Sequence, residues 1–277
     1  MAAKISIRKI FVFIFWIGLS GGLIAVLVSA IEFKNAKKCQ SIDISIERTT
    51  EGMQFVNKDD VKKQLALVSQ DIVGKEYKDF NIRQMEYSVE RIPWVNKAEL
   101  YFDNDEVLHV NVQERDAIAR IFTETGASYY VDSSLHKMPL NDHFTPRLPV
   151  ITGFPEGHYS LKADTILLQQ AMDIVKFLRK DSFWMSQIEQ IDVNGDGEFR
   201  MVPKVGDHSI LFGEGVDIEK KFNKLKMFYL KVLSKVGWSK YSQLDLSFNG
   251  QLVAVKKDQE MISNLNTNDT LTQFDKH

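Results

Sequence analysis

The chain has 277 residues, 35 basic and 37 acidic side chains for a formal net charge of −2, and one cysteine. Acids and bases are interspersed, so no basic field marks a nucleic-acid binder, and one cysteine excludes an internal disulfide or a cysteine metal cluster. No segment recurs at a fixed period.

Residues 10–31 read IFVFIFWIGLSGGLIAVLVSAI, 22 residues without a charge. As a helix the stretch would be about 33 Å long, against about 30 Å of bilayer hydrocarbon. A core helix of a globular domain would carry a polar face, and this stretch has none. It is expected to be a single transmembrane helix in the lipid bilayer, with a cytoplasmic tail over 1–9 and a juxtamembrane spacer over 32–40. Val28, Ser29 and Ala30 leave open a cleaved signal peptide, although the apolar run exceeds the usual h-region of about 7–15 residues. Lys4, Arg8 and Lys9 before the run balance Lys34, Lys37 and Lys38 after it. The amino terminus and Glu32 tip that tie toward a cytoplasmic N-terminus. Gly18 and Gly22 form a small-residue face where a second membrane helix can approach closely; ordinary glycine content of a membrane helix is the alternative. No lipobox precedes Cys39.

A first domain is expected over 41–115. Residues 41–47 alternate, with Ile42, Ile44 and Ile46 on one face of a half-buried strand. Asn57 and Asp60 have the spacing of a capping box, and Val61, Leu65 and Val68 follow on one helical stripe. Ile82, Met85, Val89 and Ile92 mark a second helix that Pro93 ends. Ala98, Leu100 and Phe102, a polar turn over 103–106, and Leu108, Val110 and Val112 make a hairpin. The order β-α-α-β-β is a compact α+β unit with two helices on one three-stranded sheet.

A second domain is expected over 116–257. Strands are read over 117–122, 128–132, 148–151, 188–193, 198–203, 209–212, 243–248 and 251–256. Leu167, Leu168, Ala171, Ile174, Val175 and Leu178 follow helical spacing, with Asp164 able to cap. Ile218, Phe222, Leu225, Tyr229, Val232 and Val236 do the same between Gly215 and Gly237. Asn249-Gly250 is a strong hairpin signal, since both residues tolerate positive φ. The expected architecture is a mostly antiparallel sheet with helices on one side. Residues 258–277, poor in large apolar groups, read as a disordered tail.

Asp192-Val-Asn194-Gly-Asp196-Gly197 opens like a calcium loop, but Pro203 occupies its twelfth position, and a tight hairpin turn suits it better. Asp132, Ser133, Ser134, His136, Asp142 and His143 lack a nucleophile-elbow context, and His109 falls on the outward face of its strand. The residues supply no catalytic set, no metal site and no cofactor-binding loop. Trp94 is expected to pack beneath the preceding helix, and Trp16, Trp184 and Trp238 to lie in the span or at core edges.

The segment Ile92-Pro93-Trp94-Val95-Asn96-Lys97-Ala98, with the hairpin ending Val110-Asn111-Val112-Gln113-Glu114-Arg115, resembles a POTRA domain. More closely it resembles that domain in the bacterial division family FtsQ, called DivIB in other lineages. Asp116-Ala117-Ile118-Ala119 resembles the family's link into its second domain, and Leu148-Pro149-Val150-Ile151-Thr152-Gly153 its Leu-Pro-x-x-x-Gly element. Three positions depart from that pattern. The hairpin turn reads Asp-Asn-Asp-Glu where a proline is frequent, Ala117 replaces a frequent proline, and Leu135 stands where a turn glycine is common. The resemblance implies a non-enzymatic bitopic scaffold of the divisome in the cell inner membrane. Its folded domains would be periplasmic and enriched at the division site. It would recruit or regulate septal peptidoglycan synthesis partners of the FtsB/FtsL type through POTRA and C-terminal strand-edge contacts, without a small-molecule substrate. The family's Asp-Leu-Arg-Tyr-like strand matches Asp245-Leu246-Ser247-Phe248, with Ser for Arg and Phe for Tyr. The candidate partner-binding residues are Ser247, Phe248, Leu252, Ala254 and Lys256, on a sheet edge able to accept an added strand. Leu244, Leu246, Val253 and Val255 are expected to face the core. A POTRA-containing factor for outer-membrane assembly or protein translocation is the alternative.

Overall fold

The computed structural model describes residues 7–35, 37–48, 52, 54–155 and 161–257. The expected tail over 258–277, and all but residues 7–9 of the N-terminal tail, lie outside them. The chain divides into two compact units, Met1–Arg115 and Asp116–His277.

Helix α1 (Ile7–Asn35) contains the uncharged run and continues beyond it into the first part of the expected spacer. Residues 32–35 include Glu and Lys, good helix formers, and no breaker, so the helix does not stop where the apolarity stops. Among the described residues, no helix is long and apolar enough to cross a membrane.

The first unit continues with β1 (Ser41–Glu47), α2 (Lys58–Val68), a 3-10 turn (Tyr77–Asp79), α3 (Ile82–Glu90), β2 (Val95–Phe102) and β3 (Val107–Glu114). The sheet order is β1-β3-β2, with β1 parallel to β3 and β2 antiparallel to it. Val61 and Leu65 of α2 and Met85 and Val89 of α3 are buried with Leu108 and Val110 of the central strand. The Asn57 side chain accepts from the N–H groups of Asp59 and Asp60, both at 2.9 Å, and Asp60 accepts from Asn57 N–H at 3.2 Å. This reciprocal cap satisfies donors that the first turn of α2 leaves orphaned. Glu114, buried at the end of β3, accepts from Val56 N–H at 2.7 Å and lies 3.8 Å from Arg48 Nε. It ties the loop before α2 to the sheet. Burial pushes its carboxyl above the usual range, while the Val56 bond and the Arg48 charge act the other way.

The second unit contains, in order, β4 (Ala117–Thr123), β5 (Ser128–Asp132), β6 (Lys137–Met138), β7 (Val150–Phe154), α4 (Leu161–Lys180), α5 (Ser182–Gln187), β8 (Ile188–Val193), β9 (Phe199–Pro203), β10 (Ser209–Gly213), α6 (Ile218–Phe228), β11 (Tyr241–Asp245) and β12 (Val253–Lys256), with a π turn and a short helical turn between α6 and β11. They form one nine-stranded sheet, ordered β12-β11-β10-β9-β8-β7-β4-β5-β6. The sheet is mixed: five of its eight pairings are antiparallel and three are parallel, so antiparallel pairs are the majority as expected but not the whole. Pairs β4–β7, β7–β8 and β10–β11 are parallel. Neighbouring strands can pair in parallel only through a crossover that returns the chain to the end it started from, usually a helix. Here α4 and α5 join β7 to β8, and α6 joins β10 to β11. Asp164 lies within the first turn of α4 rather than at its cap, where its charge still favours the helix dipole.

Helices α4, α5 and α6 share one core cluster with the inward residues of the strands. Trp184 lies at the centre of that cluster, 1% exposed, not at its edge. The unanticipated helix α5 puts it there: Asp181 caps α5 by accepting from Phe183 N–H at 2.9 Å. The indole then packs against Phe222 and Tyr229, with ring centroids 4.9 and 5.6 Å away. Beyond α6 the helix loosens into a π turn (Tyr229–Leu233) and ends at Gly237, φ +97°. Gly153 is required in the Leu-Pro-x-x-x-Gly element, since its φ is +67° and an added Cβ would lie 2.5 Å from the Val193 carbonyl oxygen. Leu135 adopts φ +67° without being glycine, a strained turn held by packing against the core.

Tyr229 also meets His208, whose Nε2 is 2.9 Å from the phenol oxygen. His208 is 3% exposed. Burial holds its imidazole below the ordinary 6.5, against opposing effects of the Trp238 backbone and Asp207. The folded protein therefore keeps His208 neutral at a pH where the unfolded chain takes up a proton. Its contribution to stability is complete above the unfolded value and is lost as pH falls through 6.5. The loss cannot exceed about 1.4 kcal/mol per pH unit for one proton. Thermal melts between about pH 7.5 and 5 should show a smaller acid-induced loss of Tm in His208→Gln than in wild type. Parallel losses would exclude His208 as the titrating group.

Candidate functional site

Strand β12 ends the nine-stranded sheet, and among the described residues no strand pairs with its outer side. Its inner side pairs antiparallel with β11, setting Asp245 opposite Val253, Leu244 opposite Ala254 and Gln243 opposite Val255. The connection is seven residues long (246–252), not the two-residue Asn-Gly turn expected, although Gly250 does take φ +82° within it. Asp245 causes the difference. Its Oδ1 accepts from Ser247 N–H at 2.8 Å and from Ser247 Oγ–H at 2.6 Å, which turns the chain out of β11. Leu246 N–H donates instead to the Leu211 carbonyl of β10, at 2.8 Å.

A two-residue turn at Asn249-Gly250 would have set Leu244 opposite Val255 and Leu246 opposite Val253, all facing the core. The observed register is shifted by one, and a one-residue shift reverses every side chain. Leu244 and Leu246 are buried as expected, but Leu252 and Ala254 pack against the core beside them. Val253, 40% exposed, and Val255 share the open face with Asp245 and Gln243. Of the five candidate residues, Ser247, Phe248 and Lys256 are exposed, Phe248 to 51%. Leu252 and Ala254 are half-buried, leaving their main chain rather than their side chains at the edge. Val253 was missed because an alternating pattern alone does not reveal register.

Phe248 forms one wall of a groove of about 400 Å³, with Val216, Lys220, Lys221, Lys224 and Gly213 among its lining residues. Gly213, φ +69°, lets the loop come close: a Cβ there would lie 3.1 Å from Ser247 Cβ. Lys221 is buried, and its ammonium donates to the carbonyls of Phe212 at 2.7 Å and Glu214 at 2.8 Å. Burial pushes its pKa down. Lys220 pairs with Asp217 at 2.7 Å. The groove thus joins an aromatic ring and an apolar side chain to three lysines and to the carboxylates of Glu198, Glu214 and Asp217, at the loop that leads into β12.

The remaining candidate residues have turn or surface roles. Asn194 Oδ1 accepts from the N–H groups of Asp196 and Glu198 at 3.0 and 2.8 Å, closing the β8–β9 hairpin, and Asp192 is engaged by Gln190 and Thr152. Asp132 Oδ1 accepts from Ser134 and His136 N–H at 2.8 Å, and Asn141 Oδ1 from His143 N–H at 2.9 Å. Among the described residues, no three His, Cys, Asp or Glu side chains converge as a metal site. His109 lies on the outward face of β3, its Nε2 2.8 Å from Asp103 and its Nδ1 3.5 Å from Asp43. Nothing lies within 4 Å of a Cβ built on Gly18 or Gly22.

The exposed and buried residues of this edge should separate in a denaturation series. Phe248→Ala and Val253→Ala should each change unfolding stability by less than about 0.5 kcal/mol, and Leu246→Ala should cost about 2–5 kcal/mol. A cost for Val253→Ala as large as that for Leu246→Ala would contradict the register.

Comparison with known proteins matches both units. A family model described as FtsQ/DivIB, C-terminal related, matches residues 116–255. A model described as a POTRA-like domain matches residues 37–113. A cell division protein FtsQ from Salinibacter ruber is 26% identical over 171 residues, covering 60% of this chain and 66% of the relative's length.

Proposed function

From the premise that this chain belongs to the FtsQ/DivIB family, we propose that it is a non-enzymatic scaffold of the bacterial division machinery, anchored in the inner membrane by a single pass over residues 10–31. Its N-terminus is cytoplasmic, its folded units are periplasmic, and it concentrates at the division site. It recruits or regulates partners in septal peptidoglycan synthesis, membrane proteins of the FtsB/FtsL type, by adding a partner strand to β12. Gly18 and Gly22 offer a place for helix association within the bilayer.

The observation that carries this reading is the open outer side of β12, flanked by the exposed Phe248 and Val253. Edge addition draws affinity from main-chain hydrogen bonds and register from alternate side chains. Leu252 and Ala254 serve by presenting backbone, Phe248 and Val253 by presenting side chains, and Lys256 by limiting unwanted pairing at the strand end.

The test is depletion in the native host with complementation by variants. Depletion should give long filaments with segregated DNA and no constriction. Wild type should restore septation, and Phe248→Ala with Val253→Asp should not. Co-isolation of division membrane proteins should fall at least about tenfold in that variant, as for loss of an interface anchor. Ala254→Pro should abolish complementation by removing an N–H and disturbing the strand. Full complementation by the Phe248/Val253 variant would remove this edge from the function. Normal septation on depletion would overturn the division role.

A further inference from the structure

Strand β2 is an edge of the first unit's sheet, paired only with β3 among the described residues. In an antiparallel pair the N–H groups of alternate residues point toward the partner strand and away from it. Two of the outward groups on β2 are already occupied. Ala98 N–H donates to Glu90 Oε1 at 3.2 Å, and Leu100 N–H donates to Glu86 Oε1 at 2.9 Å. Both carboxylates come from α3, which packs on β2. Four residues of helix rise about 6.0 Å, and two residues of strand advance about 6.6–6.8 Å. An i, i+4 pair of glutamates therefore matches the repeat of outward N–H groups along a strand. Because Glu90 meets Ala98 and Glu86 meets Leu100, the two elements run in opposite directions.

We propose that Glu86 and Glu90 close the β2 edge to strand addition, and that removing both acceptors opens it to β2 of a second copy of this chain. An incoming strand must occupy the line along which the two carboxylates lie, so it must break both bonds. Without them the edge becomes self-complementary. Antiparallel pairing of two β2 strands centred on Ala98 sets outward residue 98 opposite its copy and Asn96 opposite Leu100. On the open face it sets Lys97 of each copy opposite Glu99 of the other, two opposite-charge pairs. These are the side chains that bridge each other within one strand. The proposal is independent of the division role, since it concerns an edge outside β12.

The test compares the full chain in detergent as wild type, Glu86→Gln/Glu90→Gln and Glu86→Ala/Glu90→Ala. Glutamine keeps an acceptor oxygen, and alanine removes it. Hydrogen exchange over residues 95–102 should show slow amides at 98 and 100 in wild type and the glutamine pair, and fast ones in the alanine pair at low concentration. Mixed copies carrying Lys97→Cys and Glu99→Cys should cross-link at least about fivefold more in the alanine background, with little change for glutamine. Fast exchange at 98 and 100 in wild type would overturn the proposal without reference to any variant. So would equal cross-linking in all three backgrounds.

Discussion

A sheet that does not close on itself leaves a row of N–H and C=O groups at each end, and burying or exposing that row has consequences either way. Both units of this chain are shaped by it. The nine-stranded sheet runs from β12 to β6, and the β6 end is cut to two residues, Lys137–Met138, too short to template another chain. The β12 end presents four residues and the exposed Phe248 and Val253. In the first unit, β2 offers eight residues of edge, and α3 lays two carboxylates along it. Shortening, covering and leaving open are three answers to one constraint; among the described residues β12 and β1, the other end of the first unit's sheet, are paired on one side alone, and such an edge is where a partner strand can be added.

An open edge is useful only if the strand behind it is held still. Leu244 and Leu246, fully buried, fix β11 to the core, and Leu252 and Ala254 extend that contact into β12. Phe228 of α6 stacks edge-on against Tyr241 at 5.3 Å, bracing the start of β11. The π turn after α6 carries Tyr229 into the group formed by Trp184, Trp238 and His208. Aromatic packing of this kind adds about 0.5–1.5 kcal/mol per pair beyond area burial. The two parallel crossovers follow from the same arrangement. Helices on the buried face return the chain to its starting end, so the strands they join lie parallel and the sheet is mixed.

What the sequence reveals of this structure is what depends on neighbours a few residues away. Asn57 and Asp60 identify the start of α2, Pro93 the stop beyond α3, Gly237 the end after the π turn, and the alternation of 41–47 locates β1, because each signal is local. The edge strand was located but its register was not. Asn249-Gly250 predicts a two-residue turn by its own preferences, yet Asp245 captures Ser247 first and the turn becomes a seven-residue loop. That competition between a side chain and a turn moved Val253 and Val255 to the other face. Leu135 illustrates the converse: the backbone keeps the left-handed turn, and core packing carries a residue that the turn disfavours. Helix α5 escaped notice because six residues give too short a pattern to show a period.

Glu86 and Glu90 carry a further lesson about reading charge. Like charges at i, i+4 on a helix repel and cost a few tenths of a kcal/mol, so in isolation the pair looks like a defect. It ceases to be one when the facing strand presents two N–H groups at nearly the same repeat. A carboxylate bonded to a backbone N–H gains a charge-assisted hydrogen bond of about 1.5–3 kcal/mol, more than the repulsion. Local rules evaluated element by element thus misjudge the residues that join elements. At β2 they overlook a covered edge, and at β12 they misplace an open one. In both places the decisive quantity is which way a strand's backbone groups point, and only the paired register supplies it.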